Sequence, residues 1–151
     1  MLDFSHKEPI IFPYKDWEVK TGNSKEKVTR PIALVSLGSK KQIQMAALID
    51  TGSDKTVSYL HPFGQMLGVN VNDFEGEPDQ IGGLFTKGYG WSKHIELWIG
   101  RYRLNVPVFW LTQKYDPNEC NYSMILGRKI IFDNFDVVFC QKEKKVYFYK
   151  K

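Results

Sequence analysis

Two cysteines, Cys120 and Cys140, are too few for a disulfide-stapled scaffold, and their spacing makes no CxxC motif. In a reducing compartment both read as free thiols. Three histidines, His6, His61 and His94, share no ligand spacing, so no zinc motif can be assembled and no metal or other cofactor is expected. No run approaches about 18 uncharged apolar residues, which excludes a membrane-spanning helix. The first ten residues carry Asp3, Lys7 and Glu8 where a secretion signal would have an apolar stretch. The expected location is therefore intracellular, in the cytoplasm, where Asn121-Tyr122-Ser123 has no meaning as a glycosylation sequon.

A broad basic surface is also lacking. Lys and Arg number 21 and Asp and Glu 17, a net charge of +4. The last eleven residues hold five Lys and one Glu, so they account for all of that excess and the rest of the chain is balanced. A nucleic-acid binder needs cations spread over a face that meets phosphates. A lysine-rich C-terminal hairpin reads instead as a solvated or edge-protecting surface.

What the chain has in quantity is aromatic carbon: ten Phe, eight Tyr and four Trp among 151 residues. That supplies a sizeable core for one compact domain and leaves no room for a second. Residues 1–27 are mixed and polar and read as an N-terminal arm of unassigned role, ending in a strand. From Pro31 the texture changes to short β-rich runs. Alternation over Ile32–Ser36, a turn at Gly38-Ser39 and the run Ile43–Ile49 predict a hairpin. Further strands are expected at Thr56–Leu60, Ile95–Ile99, Tyr102–Leu111, Asp136–Cys140 and Lys145–Tyr149. Pro107 demotes part of its strand to an edge or a bend. Short helices fit His61–Leu67, closed by Gly68, and Arg128–Asn134. The pattern is that of an all-β barrel or sandwich.

One segment carries chemistry. In Ala46-Ala47-Leu48-Ile49-Asp50-Thr51-Gly52-Ser53-Asp54 an apolar strand ends in a carboxylate, a small hydroxyl residue and glycine. Asp50 thus stands where a buried strand emerges into a tight loop. Gly52 permits close backbone approach, and Thr51 and Ser53 can brace the loop through their hydroxyls. Downstream come Gln80-Ile81-Gly82-Gly83-Leu84-Phe85, suited to a hairpin tip with free amides, and Met124-Ile125-Leu126-Gly127-Arg128 before a helical run.

This ordered set resembles the retropepsin-like, retroviral-type aspartic proteases, over about residues 31–149. The resemblance implies a closed β-barrel with one or two short helices in a protease domain spanning residues 28–151, its active site at a two-fold dimer interface. It implies that Asp50 is the catalytic aspartate, that Thr51 locks against its counterpart in a second subunit, and that Gly52 and Ser53 belong to the same loop. Asp54 and Arg128 fall on a family ion pair that braces this loop. Ile81, Gly82, Gly83, Leu84 and Phe85 would form the flap over the substrate. Two features depart from the pattern: a longer N-terminal arm, and a longer stretch between Asp50 and the flap.

Carboxylate-driven peptide hydrolysis needs one ionised and one protonated acid, sharing a proton. The chain has one D-T-G and no second, so two copies must meet for the chemistry to work. The reading is an aspartic endopeptidase acting as a homodimer on an extended peptide or protein, with Val57, Ile125 and Leu126 as apolar pocket walls. The alternatives are a catalytically silent peptide-binding or dimerisation module, a small RNA-binding barrel and a glycosidase with paired acids. The last needs a second acid that no motif nominates.

Overall fold

A computed structural model describes residues 3–82 and 88–151. Before the active-site loop come five strands: β1 (Ile10–Pro13), β2 (Lys15–Thr21), β3 (Ser24–Arg30), β4 (Ile32–Leu37) and β5 (Ile43–Ile49). After it follow β6 (Thr56–Tyr59), β7 (Asp79–Ile81), β8 (Gly88–Ile99), β9 (Tyr102–Leu111) and β10 (Met124–Leu126). A single-turn helix α1 (Ile131–Asn134) leads into β11 (Phe135–Cys140) and β12 (Lys145–Lys150).

The barrel runs β4-β5-β10-β6-β9-β8 and closes where Ser36 and Leu37 of β4 pair with Trp98 and Leu97 of β8. The Trp98 indole donates to the Gly38 carbonyl at 3.0 Å and the Gly38 amide to the Glu96 carbonyl at 2.8 Å, which fastens this seam. Two pairings are parallel, β5 with β10 and β6 with β9. Strands in such pairs are covered on both faces and read as continuous apolar runs. That is why Ala47-Leu48-Ile49 and Met124-Ile125-Leu126 lack alternation and are buried throughout.

Outside the barrel, β1 pairs with β12 and β12 with β11 in a three-stranded antiparallel sheet. Its inner face brings Phe12, Phe135 and Phe148 together; Phe148 meets Phe12 edge-on at 5.5 Å and Phe135 at 5.6 Å. All three join the core that fills the barrel. Phe148→Ala is expected to cost about 3–5 kcal/mol, as for other large-to-small aromatic changes in cores. Chemical denaturation checks this: a midpoint unchanged from wild type would mean the sheet is not part of the cooperative unit.

Several elements differ from expectation. The strand expected from Ile95 begins at Gly88, because Gly88–Gly90 pair with β7 and Gly90–His94 pair with β9 from Leu111 to Pro107. Gly90 sits so close to the Trp110 carbonyl that no Cβ fits, so it serves close strand approach there. Pro107 does mark an edge: β6 covers β9 only from Val108 onward, leaving Tyr102–Pro107 paired on one side. The helix expected over Arg128–Asn134 shrinks to α1, since Ile130 adopts φ +70° and breaks the run before it. Helical turns begin at Leu60 but are interrupted at His61, whose φ and ψ are extended.

Residues 3–27 are built into the fold. They contain β1, and their hairpin β2–β3 continues past residue 27 to Arg30. Trp17 stacks on Tyr122 with ring centres 5.4 Å apart, and its indole donates to the Asn121 carbonyl at 2.6 Å. The hairpin therefore lies over Ile32, Leu48 and Tyr122, beside the end of β5 that leads to Asp50. Both cysteines are free and half-buried.

Candidate active site

Asp50 follows β5 directly, and its amide donates to the Leu126 carbonyl at 3.0 Å, continuing the parallel pairing with β10 by one residue. The strand stops there because the chain turns: the Gly52 amide donates to Asp50 Oδ1 at 2.9 Å and the Ser53 amide to the Asp50 carbonyl at 3.3 Å. A carboxylate that accepts a backbone N–H two residues on is an Asx-type closure. It fixes the Asp50 side chain at the mouth of the loop, half-exposed, with Thr51 and Gly52 exposed beside it.

The far limb of the loop is tied to the segment after β10. Arg128 and Lys129 amides donate to the Ser53 and Asp54 carbonyls at 2.9 and 3.0 Å. The Ser53 hydroxyl donates to the Lys55 carbonyl at 2.7 Å. Arg128 Nη2 donates to Asp54 Oδ1, so the two charges singled out in the sequence form an ion pair across 74 residues. Both side chains are largely solvated, which limits the pair to about 1 kcal/mol. Its effect is on orientation more than on stability.

Two hydroxyls without a sequence signal complete the support. The buried Thr56 hydroxyl accepts the Gly127 amide at 3.1 Å, and the buried Ser58 hydroxyl donates to the Ser123 carbonyl at 2.8 Å. In sequence they look like the polar alternates of a half-exposed strand; burial on both faces of β6 makes them internal ties. Thr56→Val keeps the shape and leaves the Gly127 amide unpaired, a loss expected to be about 1–3 kcal/mol. Thr56→Ser should retain most of the stability. Equal denaturation midpoints for the two variants would show that the hydroxyl contributes nothing.

The pocket candidates separate. Val57 and Ile125 are paired across β6 and β10 and share an apolar cluster with Tyr59, Phe109 and Leu111, against which Ile81 packs. Leu126 does not join them. Successive strand residues face opposite ways, and Leu126 is fully buried in the barrel core with Ile49 and Met124. It is a core residue and not a pocket wall. Tyr59, Tyr115 and Cys120 belong to the same cluster, and no motif marks them in the sequence. Burial and the neighbouring Cys120 thiol push the Tyr59 phenol up from its ordinary value, so it stays protonated.

Of the expected flap residues, Ile81 ends β7 and the exposed Gly82 follows it. Gly83, Leu84 and Phe85 lie outside the described residues. Among the described residues no group of three or more His, Cys, Asp or Glu side chains could hold a metal ion, and no helix is long and apolar enough to cross a membrane.

No protein-family model matches the sequence, and no curated protein does. Solved structures do. A retropepsin-like aspartic protease from Rickettsia conorii superposes with a TM-score of 0.53 at 10% identity, covering 95% of each chain. The EIAV protease complexed with the inhibitor HBY-793 aligns with a TM-score of 0.47 at 19% identity, over 76% of this chain and 93% of that one. Barrel order, the two parallel pairings and superposition over 95% of each chain agree: the fold of this chain is that of the retropepsin-like aspartic proteases.

Proposed function

We propose that this protein is an aspartic endopeptidase whose active unit is a homodimer, with one Asp50 carboxylate from each subunit activating the attacking water. The observation that carries the reading is the Asp50 loop. A carboxylate at the end of a buried strand accepts a backbone amide and is left open to solvent, in a loop whose far limb is tied down by the Arg128 and Lys129 amides. A module that only binds peptides has no use for an oriented acid at the mouth of its loop.

In this reading one Asp50 is ionised and takes a proton from water, while its mate is protonated and polarises the substrate carbonyl. No covalent intermediate forms. The substrate lies extended between the Asp50 loop and the flap, and its backbone pairs as an added strand. Val57, Ile125 and Ile81 offer apolar contact to side chains beside the cleaved bond, which favours bulky apolar residues there.

Cleavage of a diverse peptide pool, read by mass spectrometry between about pH 3 and 7, tests the proposal. Wild type should cut and Asp50→Asn should not. Equal cleavage by both would assign the activity to other residues. Absence of cleavage by a wild type that sediments as a dimer would favour the silent module.

A further inference from the structure

Beside the Asp50 loop lies a cavity of about 450 Å³ whose lining includes Asp54, Lys55, Ser92, Arg128, Lys129 and Asp133, with Pro107 and Phe132 as its apolar part. Its charges do not cancel. Asp54 is engaged by the Arg128 guanidinium, and Asp133 accepts the Ile130 amide at 3.3 Å. Lys55 and Lys129 have no acidic partner among the described residues. Lys55 is instead held over the Phe109 ring, its ammonium 4.8 Å from the centroid. With Asp54 and Asp133 set against Lys55, Arg128 and Lys129, the lining carries a net charge of +1, and it combines two ammonium groups that have no ion-pair partner with Ser92 and the apolar surface of Pro107 and Phe132.

We infer that this cavity binds an acidic side chain of the substrate, so that the enzyme prefers Glu or Asp a few residues from the bond it cuts. The inference rests on the proteolytic reading of the Asp50 loop. Chain length sets the reach: Lys55 is five residues beyond Asp50, hence at most about 18 Å away. An extended substrate advances about 3.3 Å per residue, so the acidic residue falls within about five positions of the cleaved bond. A carboxylate suits the site because the lysines can meet it with charge-assisted hydrogen bonds while its methylenes lie on Pro107 and Phe132.

The test uses peptides cut by wild type, each remade with Glu, Gln or Lys at every position within five of the scissile bond. Wild type is expected to favour Glu over Lys by about tenfold in kcat/KM at one position, mostly through KM, a size suited to partly solvated ion pairs. In Lys55→Glu combined with Lys129→Glu the preference should reverse. Lys55→Gln with Lys129→Gln should flatten it, and guards against misfolding of the reversed variant. Indifference to charge at every position, or a preference that survives both double variants, overturns the inference. So does competition by millimolar inorganic phosphate without any peptide preference, because the cavity would then take a free anion.

Binding of the preferred uncut peptide to Asp50→Asn, followed by fluorescence anisotropy, separates this inference from the reading beneath it. Loss of peptide affinity on removing the two lysines from Asp50→Asn, together with absence of cleavage by wild type, would sustain the cavity and sink the protease. Cleavage without charge preference would do the reverse.

Discussion

Asp50→Asn should lower peptide cleavage by about 10⁴-fold, the upper range for losing a general acid–base pair, while leaving the barrel folded. The substitution keeps the side-chain oxygen that accepts the Gly52 amide, so the loop closure survives and only the titrating group is lost. Because the proposed site is shared, the variant should also poison wild type. Mixing one part wild type with three parts variant leaves about a quarter of wild-type subunits in wild-type pairs, and activity should fall to match. Additivity in that mixture, with no loss per wild-type chain, would mean that one chain suffices.

The pH profile follows from the same pair. In the proposed dimer the reaction needs one Asp50 carboxyl protonated and the other ionised. Raising pH removes the shared proton and with it the acid; lowering pH protonates the base. Activity should form a bell on the acid side of neutrality, and a flat profile across that range would argue against a carboxylate pair.

Gly127→Ala is expected to be the most damaging single methyl in the site. A Cβ at Gly127 would strike the Lys55 carbonyl and lie 2.9 Å from the Ser53 carbonyl. Both are backbone atoms and cannot rotate away, so the upper range for overpacking applies, about 3 kcal/mol. The displaced atoms belong to the loop that positions Asp50, and a shift of about 1 Å can cost on the order of 100-fold in rate. Melting and kinetics on the same preparation check the two parts. A variant as stable and as active as wild type would show that Gly127 is there for some reason other than space.

Sequence and tertiary structure divided the determination of this molecule unevenly. Local pattern sufficed where a β-rich run meets a turn signal, as in Ile32–Ser36 before Gly38-Ser39, or where a break in hydropathy coincides with a chemical signal, as at Ile49-Asp50-Thr51-Gly52. There the residue types themselves specify a strand end, a turn and an oriented carboxylate. The charges of Asp54 and Arg128 were legible as well, but their meeting depends on β5 and β10 pairing in parallel, a contact between residues more than 70 positions apart.

Local pattern failed where long-range pairing overrides composition. Gly88 and Gly90 look like the end of a turn, yet they start a twelve-residue strand because β7 pairs with both and β9 holds Gly90 against Trp110. The polar arm of the first 27 residues becomes β1 and most of a hairpin only because β12 and Tyr122 lie ready to receive it. Leu126 and Ile125 are chemically alike, and only the side of the sheet each faces separates core from candidate pocket. The hydroxyls of Thr56 and Ser58 likewise acquire their function from burial on both sides of one strand. Residue chemistry thus determined where an acid could act, and the closure of the barrel decided which neighbours hold it.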